Sequence, residues 1–514
     1  MHFILVGSFL VALFLIVRGL ARPKRKFPPG PKGLPILGNL LDVPTDAVWK
    51  VYHEMAKKYQ SPLIHLDILG SPIIVIDSLK VAQDLIENRS SIYSSRPRMP
   101  MMNELIGFDW HFAFIPYGKE WRDRRKVFHR LYDVSGSKFL RPYATRASRR
   151  LLLNLLDDPS NFLGHIRLQV YTSQLSGSFI LATTYGLDIT SMKDAHIMSA
   201  EMGMFAMGQA FHGYVVDHFP LLSYLPSWLP GCQFKNQARE WRQDTQAMLE
   251  APFAFVKNRM SENKAPDSLA FRELSSMADE DPEQEKVVQD VFGAAYAGGS
   301  DTTVSALSSF VLAMLLYPEV QKKGQEAIDA VLLDERLPDM NDFGTIPYID
   351  AILKEVLRWN PVAPLGVPYA TLSDDTYTGY DIPAGATVYV NAWAMLHDAD
   401  TYGPKPMDFR PERFLLENGE LNPNIKDPDE AFGFGRRICP GQLVAQDSLW
   451  ISIASILATF QIDKATSREG VPITPSGEFT PHLLSHPVPF ECSITSRSTE
   501  AASLIRTFQL DLQV

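Results

Sequence analysis

The chain has 514 residues, 46% of them hydrophobic and 11% aromatic, so it can bury a large core and lacks the polar bias of a disordered protein. A formal net charge of −10 argues against nucleic acid as a partner. The three cysteines, Cys232, Cys439 and Cys492, are too far apart in sequence to read as a disulfide framework or a paired-cysteine zinc site, which suits a reducing compartment.

Every residue from Phe3 to Val17 is apolar or small. With Leu20 and Ala21 the run reaches the roughly 20 residues that cross the ~30 Å core of a bilayer. Arg22, Lys24, Arg25 and Lys26 follow directly. Positive charge on that flank holds it in the cytosol, which predicts an uncleaved transmembrane anchor over 1–21. A secretory signal is the alternative, but its charges precede the apolar run and a small-residue cleavage site closes it. Residues 22–35 are basic and then proline-rich (PPGPKGLP), and are expected to form a stiff hinge ahead of one large domain over 36–514. The sequon at Asn88 is expected to stay unmodified on the cytosolic side.

Helical spacing begins with Val48, Tyr52, Met55, Ala56 and Tyr59. LIHLDIL (63–69) and PIIVID (72–77), split by Gly70 and Ser71, predict a β-hairpin. Helices are predicted over roughly 78–88, 119–131, 136–156, 164–183, 192–212, 234–260, 285–316, 318–332 and 346–358. The polar interval 261–286 reads as a surface linker. Strand-like pieces recur near 386–391 and within 480–496. The fold class is therefore mainly α with a small β region.

Four patterns carry chemistry. The basic helix near 119 holds Trp121 and Arg125 four residues apart, together with Arg122, Arg124 and Lys126, which alone would describe an amphipathic surface helix. AGGSDTT (297–303) is a poor helix interior, because two glycines each cost about 1 kcal/mol and Asp301 and Thr302 compete for backbone hydrogen bonds. It suits either a close helix crossing or a ligand lying against Gly298 and Gly299, with Thr302 as alcohol and Asp301 as acid in a proton relay. Glu355 and Arg358 share a helix face, and Arg413 follows in PERF (411–414). FGFGRRICPG (432–441) puts Cys439 just before Pro440 and an apolar helical run, which predicts Cys439 as helix N-cap with Pro440 as first helical residue. Unpaired backbone N–H groups, Arg436 and Arg437 would favour a thiolate there, although a buried structural cysteine fits the same residues.

FGFGRRICPG resembles the haem-binding loop of the cytochrome P450 superfamily, the haem-thiolate monooxygenases. AGGSDTT is similar to the oxygen-binding helix motif of that family. Trp121 and Arg125 resemble its W-x-x-x-R pair, and Glu355, Arg358 and Arg413 resemble its buried Glu–Arg–Arg network. The resemblance implies a single helical prism holding haem b, with Cys439 as axial iron ligand, Arg437, Trp121 and Arg125 toward the propionates, and O2 as cosubstrate. It also implies electrons from NADPH through a separate cytochrome P450 reductase, docked on a basic face, and an endoplasmic reticulum location. RWNPVAPLGVPY (358–369) resembles fungal members of the O-methylsterigmatocystin oxidoreductase-like group. Many of these carry histidine where Tyr369 stands, and they imply a lipophilic secondary metabolite, a terpenoid ahead of a polyketide. His397 is expected to be structural or propionate-facing. Pocket candidates are Met202, Met204, Phe205, Met207 and Phe211, the 100–115 loop, and Leu365 to Val367. A haem-thiolate isomerase or dehydratase that needs no oxygen, and a haem-based sensor, are the rival readings.

Overall fold

The computed structural model describes residues 25–171, 179–187, 194–211, 213–277, 281–333 and 335–511. The anchor expected over 1–21 lies outside the described residues. Among them are eight strands: β1 (Leu63–Ile68), β2 (Ser71–Ile76), β3 (Tyr369–Ala370), β4 (Asp375–Tyr377), β5 (Tyr380–Ile382), β6 (Thr387–Val390), β7 (Phe460–Lys464) and β8 (Cys492–Ser496). The main sheet runs β1-β2-β6-β3, and β4-β5 and β7-β8 form separate antiparallel pairs. The predicted hairpin is present, and Leu69 and Gly70 both take positive φ (51° and 92°), the handedness a two-residue hairpin turn needs. The proline-rich stretch is docked on the sheets. Phe27 stacks on His65 at 4.0 Å, His65 N–H donates to the Pro29 carbonyl, and Arg25 pairs with Asp374 at 3.0 Å.

Helices form where apolar spacing and start signals agree. Asp133 caps Val134–Asp157 by accepting from the Ser135 and Gly136 N–H groups, and Asp281 caps Pro282–Leu316 by accepting from Gln284 N–H. Pro282, Pro318 and Pro347 each stand at the first helical position, where a missing N–H costs nothing. Of the helix expected over 164–183, the described residues include Phe162–Tyr171 and Phe179–Tyr185, and 172–178 lie outside the described residues. That expected over 78–88 is one α turn, Leu79–Ala82, passing into a wider π turn, Gln83–Glu87. The supposed linker 261–286 contains a helix, Leu269–Ser276, started by the Ser268 hydroxyl on Phe271 N–H and anchored by buried Leu269 and Ala270. Within 480–496 only β8 is regular strand.

Pro282–Leu316 is the one helix, among the described residues, long and apolar enough to cross a membrane, yet most of it is buried in protein. It organises the core. Residues Val288 to Ala297 join a cluster with Phe112, Phe114, Met204 and Trp241, while Val304 to Leu315 join another with Leu152, Ile352 and Trp450. Residues 298–303, the awkward helical stretch, lie between the two clusters, where the helix passes a cavity.

Candidate active site

The cavity measures about 350 Å³ and is walled by the central helix, the 111–114 loop, the segment 362–369, the cysteine loop and the C-terminal residues Leu483 and Leu484. Cys439 opens into it. The loop that presents the thiol is held by the Cys439 N–H donating to Phe432 O at 2.8 Å, with Gly433 and Gly435 at φ of 85° and 57°. Gly435 is obligatory on two grounds: its φ is left-handed, and a Cβ there would sit 2.6 Å from the Ile86 carbonyl oxygen.

The helix after this loop starts later than predicted. It runs Gln442–Thr459 with Gly441 as N-cap, so Cys439 is not the cap and Pro440 is not the first helical residue. Cys439 still receives part of what a cap would give it. Burial pushes the thiol up, and the Gly441 backbone N–H and the Arg125 guanidinium pull it down. Burial wins for the thiol without a metal. A cation bonded to sulfur would reverse that order.

Three guanidiniums stand around the cavity with backbone carbonyls for partners. Arg437 donates to the carbonyls of Ser94, Phe112 and Ile115, and Arg96 to those of Ala113, Val367 and Pro368. Arg125 donates to Ile438 O at 2.8 Å. None of the three forms an ion pair with a carboxylate among the described residues. Burial, with Arg96 nearby, pushes Arg437 down to about 8, and burial pushes Arg96 down to about 10. Trp121 lies under Arg437, with the guanidinium 4.6 Å from its ring centroid. Buried cations without counter-ions fit a ligand that brings carboxylates. Arg96 was not singled out in the sequence, since neither arginine of SSRPR (94–98) carries a periodic or motif signal.

The two glycines of the central helix divide the readings that the sequence left open. A Cβ on Gly298 would meet nothing within 4 Å, so this position faces the cavity and leaves room for a flat ligand. A Cβ on Gly299 would lie 2.8 Å from Ile180, so this glycine also permits a close crossing with Phe179–Tyr185. Thr302 lines the cavity, and its hydroxyl donates to Gly298 O at 2.7 Å. Asp301 is not part of the cavity wall. One residue turns a helix by about 100°, and Asp301 faces His486, whose Nε2 is 3.1 Å from its carboxylate. Acid and alcohol are thus adjacent in sequence but directed apart, and His486, invisible as a site residue in sequence, holds the acid.

Behind the cysteine loop, Glu355 is fully buried between two guanidiniums. Arg358 donates to both its oxygens at 2.7 and 2.8 Å, Arg413 donates at 3.1 Å, and the Arg410 N–H adds a bond at 2.7 Å. Arg358 also ties Leu396, Pro406 and Asp408 carbonyls to the helix Pro347–Trp359. Tyr369 has its hydroxyl between Phe434 O (3.1 Å) and Phe434 N (3.3 Å), which makes it a clamp on the cysteine loop, with Arg96 over its ring. His397 is structural: its Nδ1 bonds Trp393 O at 2.8 Å, and burial with the nearby Arg358 charge pushes it down to about 3.

Of the expected pocket residues, Met204, Met207, Leu365, Val367, Phe112 and Phe114 line the cavity. Met202 and Phe205 do not. They lie on the outer face of Ala195–Ala210, 43% and 52% exposed, because positions 202 and 205 are rotated from 204 and 207 by roughly half a turn. Phe211 packs on Phe114 at 5.7 Å.

Comparison with known proteins agrees with this geometry. The sequence model of the family described as Cytochrome P450 matches residues 28–493. A cytochrome P450 monooxygenase, eriA, of Hericium erinaceus is 42% identical over 98% of this chain and 94% of its own length. Cytochrome P450 monooxygenase 98 of Postia placenta is 39% identical over 98% and 96%. A tryptamine 4-monooxygenase of Psilocybe cyanescens is 36% identical over 97% and 98%.

Proposed function

The chain belongs to the cytochrome P450 family and is an oxidoreductase of its monooxygenase kind, and from that premise we propose that it oxidises a lipophilic secondary metabolite, a terpenoid ahead of a polyketide. The observation that carries the reading is Cys439 open to an apolar cavity beside Gly298 and three carboxylate-free guanidiniums. Haem, when bound, supplies an iron that binds and activates O2, with Cys439 as the residue that would ligate it. Arg437, Arg96 and Arg125 would hold the propionates, with Trp121 packed against the first.

The remaining tasks fall to this chain's own groups. Gly298 leaves the face of the central helix open to a ligand. Thr302 offers a hydroxyl that can exchange its Gly298 bond for one to a ligand, passing a proton as it does so. Asp301, oriented by His486, is the acid that would resupply it through a rotation or a bridging water. Aliphatic and aromatic walls exclude bulk water and suit a terpenoid skeleton. The tryptamine relative raises an amine substrate as a second reading. Among the lining residues the sole carboxylate, Glu430, is already paired with Lys426 at 2.7 Å, which leaves a protonated amine without a counter-ion.

Electrons from NADPH through a separate reductase fit the basic helix only in part. Arg124 is committed to buried Asp290 at 2.6 Å, so a docking face would rest on exposed Arg122, Lys126 and Arg436. Attachment to the endoplasmic reticulum membrane rests on the apolar segment 1–21. It is supported by the large apolar side chains Leu41, Leu221, Tyr224 and Trp228, each more than three-quarters exposed. The test is NADPH and O2 consumption by the purified protein with added reductase, and product analysis over terpenoid and polyketide precursors. An isomerase or a sensor would consume neither in step with product.

A further inference from the structure

Most polar groups of the cavity wall are already paired; Ser448, whose buried hydroxyl has no partner among the described residues, and His111 are exceptions. Arg96 and Arg437 each place three bonds on backbone carbonyls, Tyr132 pairs with Thr184, and Tyr369 with Phe434. His111 is 8% exposed and lines the cavity. Its Nδ1 accepts the backbone N–H of Ala113 at 3.2 Å. An imidazole whose Nδ1 is an acceptor carries its proton on Nε2, and that N–H has no partner among the described residues. Burial pushes the ring's pKa down to about 4, so at neutral pH it is an uncharged donor.

The two residues after His111 give their carbonyls to Arg437 and Arg96, while the His111 ring itself packs on aromatic side chains. The ring sits among Phe114, Trp110 and Phe112 at centroid distances of 4.8, 5.5 and 6.0 Å. Phe114 reaches Phe211, and Trp110 lies 3.1 Å from where a Cβ on Gly293 of the central helix would stand. These belong to the apolar cluster that includes Met204 and Met207. Carboxylates have three guanidiniums available in this cavity, and a neutral imidazole adds little for them. An uncharged acceptor in an otherwise apolar molecule has few other donors to meet.

We propose that His111 Nε2–H is a specificity-determining donor that recognises a carbonyl oxygen on an otherwise apolar substrate. This deepens the proposed function and rests on its reading of the cavity as the substrate site. An apolar ligand without such an oxygen leaves the N–H desolvated and unpaired, a penalty equivalent to about 10-fold in affinity.

The experiment uses full-length, haem-loaded protein and matched pairs of monoterpene, sesquiterpene and diterpene ketones with their parent hydrocarbons, titrated by the haem absorption shift. Wild type is expected to bind at least one ketone about 10-fold more tightly than its hydrocarbon. His111→Phe, which suits the aromatic surroundings, should erase that preference by weakening the ketone alone, and His111→Gln, which keeps a donor, should restore part of it. No ketone preference anywhere in the wild-type panel, or a preference undiminished in His111→Phe, overturns the proposal while leaving the monooxygenase reading intact. Loss of haem from His111→Phe with retention in His111→Gln also overturns it, because the imidazole would then be serving the propionates. A wild-type protein lacking the thiolate-type carbon monoxide band would sink the cavity reading itself, and this proposal with it.

Discussion

Behind Cys439 the chain sets charge against charge in a fully buried network, Glu355 with Arg358 and Arg413, and clamps the loop with Tyr369 and a left-handed glycine. The wall formed by the side chains of Ile180, Met204, Met207 and Leu483 is apolar, with His111 as a polar neighbour. The first region tolerates little change of residue type, since among the described residues Glu355 is the one carboxylate paired with either guanidinium and Tyr369 bonds the cysteine loop. The second tolerates any apolar residue of similar volume, and so can change ligand without changing fold. Chemistry is thereby confined to a rigid region and choice of substrate to a permissive one.

The sharpest way to break that contrast is Glu355→Ala. It strands two guanidiniums in the core, and a loss of about 3 to 5 kcal/mol is expected in urea unfolding, with haem content falling in parallel. Met204→Leu, on the permissive side, should change unfolding by less than about 1.5 kcal/mol. Comparable losses in the two variants would remove the distinction.

Thr302→Ala should leave stability and ligand binding near wild type but reduce product formed per NADPH, with peroxide rising. Relay losses of this kind are about 10² to 10⁴ in the proton-dependent step. His486→Phe, which frees Asp301, should lower coupling in the same direction. Wild-type coupling in both would reassign the proton route to water or to the substrate.

The paired glycines separate fold from site. Gly298→Ala gains about 1 kcal/mol of helix propensity without a clash, so the apoprotein should melt slightly higher while haem or substrate binds more weakly. Gly299→Ala gains the same propensity but meets Ile180, an overpacking of about 1 to 3 kcal/mol, so it should melt below Gly298→Ala. Equal melting shifts for the two variants would contradict the assignment of only Gly299 to the helix crossing.

A pH-dependent effect follows from His397, whose folded value near 3 lies below its ordinary 6.5. The unfolded chain takes up the proton first, so this contribution is complete above pH 6.5 and is lost as pH falls toward 3, at up to about 1.4 kcal/mol per unit. Unfolding measured at pH 7 and pH 5 should show a shallower decline in His397→Gln.

What the sequence made legible follows the same division. Cys439, Arg437, Glu355, Arg358, Arg413, Trp121 and Arg125 sit in motifs with fixed spacing, and the helices that bear them keep a 3.6-residue apolar period. The hairpin was readable from two apolar runs and one glycine. Arg96 and His486 carried no such signal, and His111 fell within the expected 100–115 pocket loop without being singled out, because each is a single residue on a loop whose role depends on what the fold brings against it. The helix Thr499–Asp511 escaped notice for a related reason: among its described side chains, Ala501 and Ile505 are the buried ones. Asp301 shows the limit from the other side, since the motif named the residue but its partner His486 comes from 185 positions further along.

The most direct test of the central claim is the absorption spectrum of the reduced, carbon monoxide-bound protein, recorded for wild type, Cys439→Ala and Cys492→Ala. The red-shifted band of a thiolate-ligated haem is expected in wild type and in Cys492→Ala, and should be absent from Cys439→Ala even where haem is retained. A band that survives in Cys439→Ala would place the iron ligand elsewhere and contradict the account.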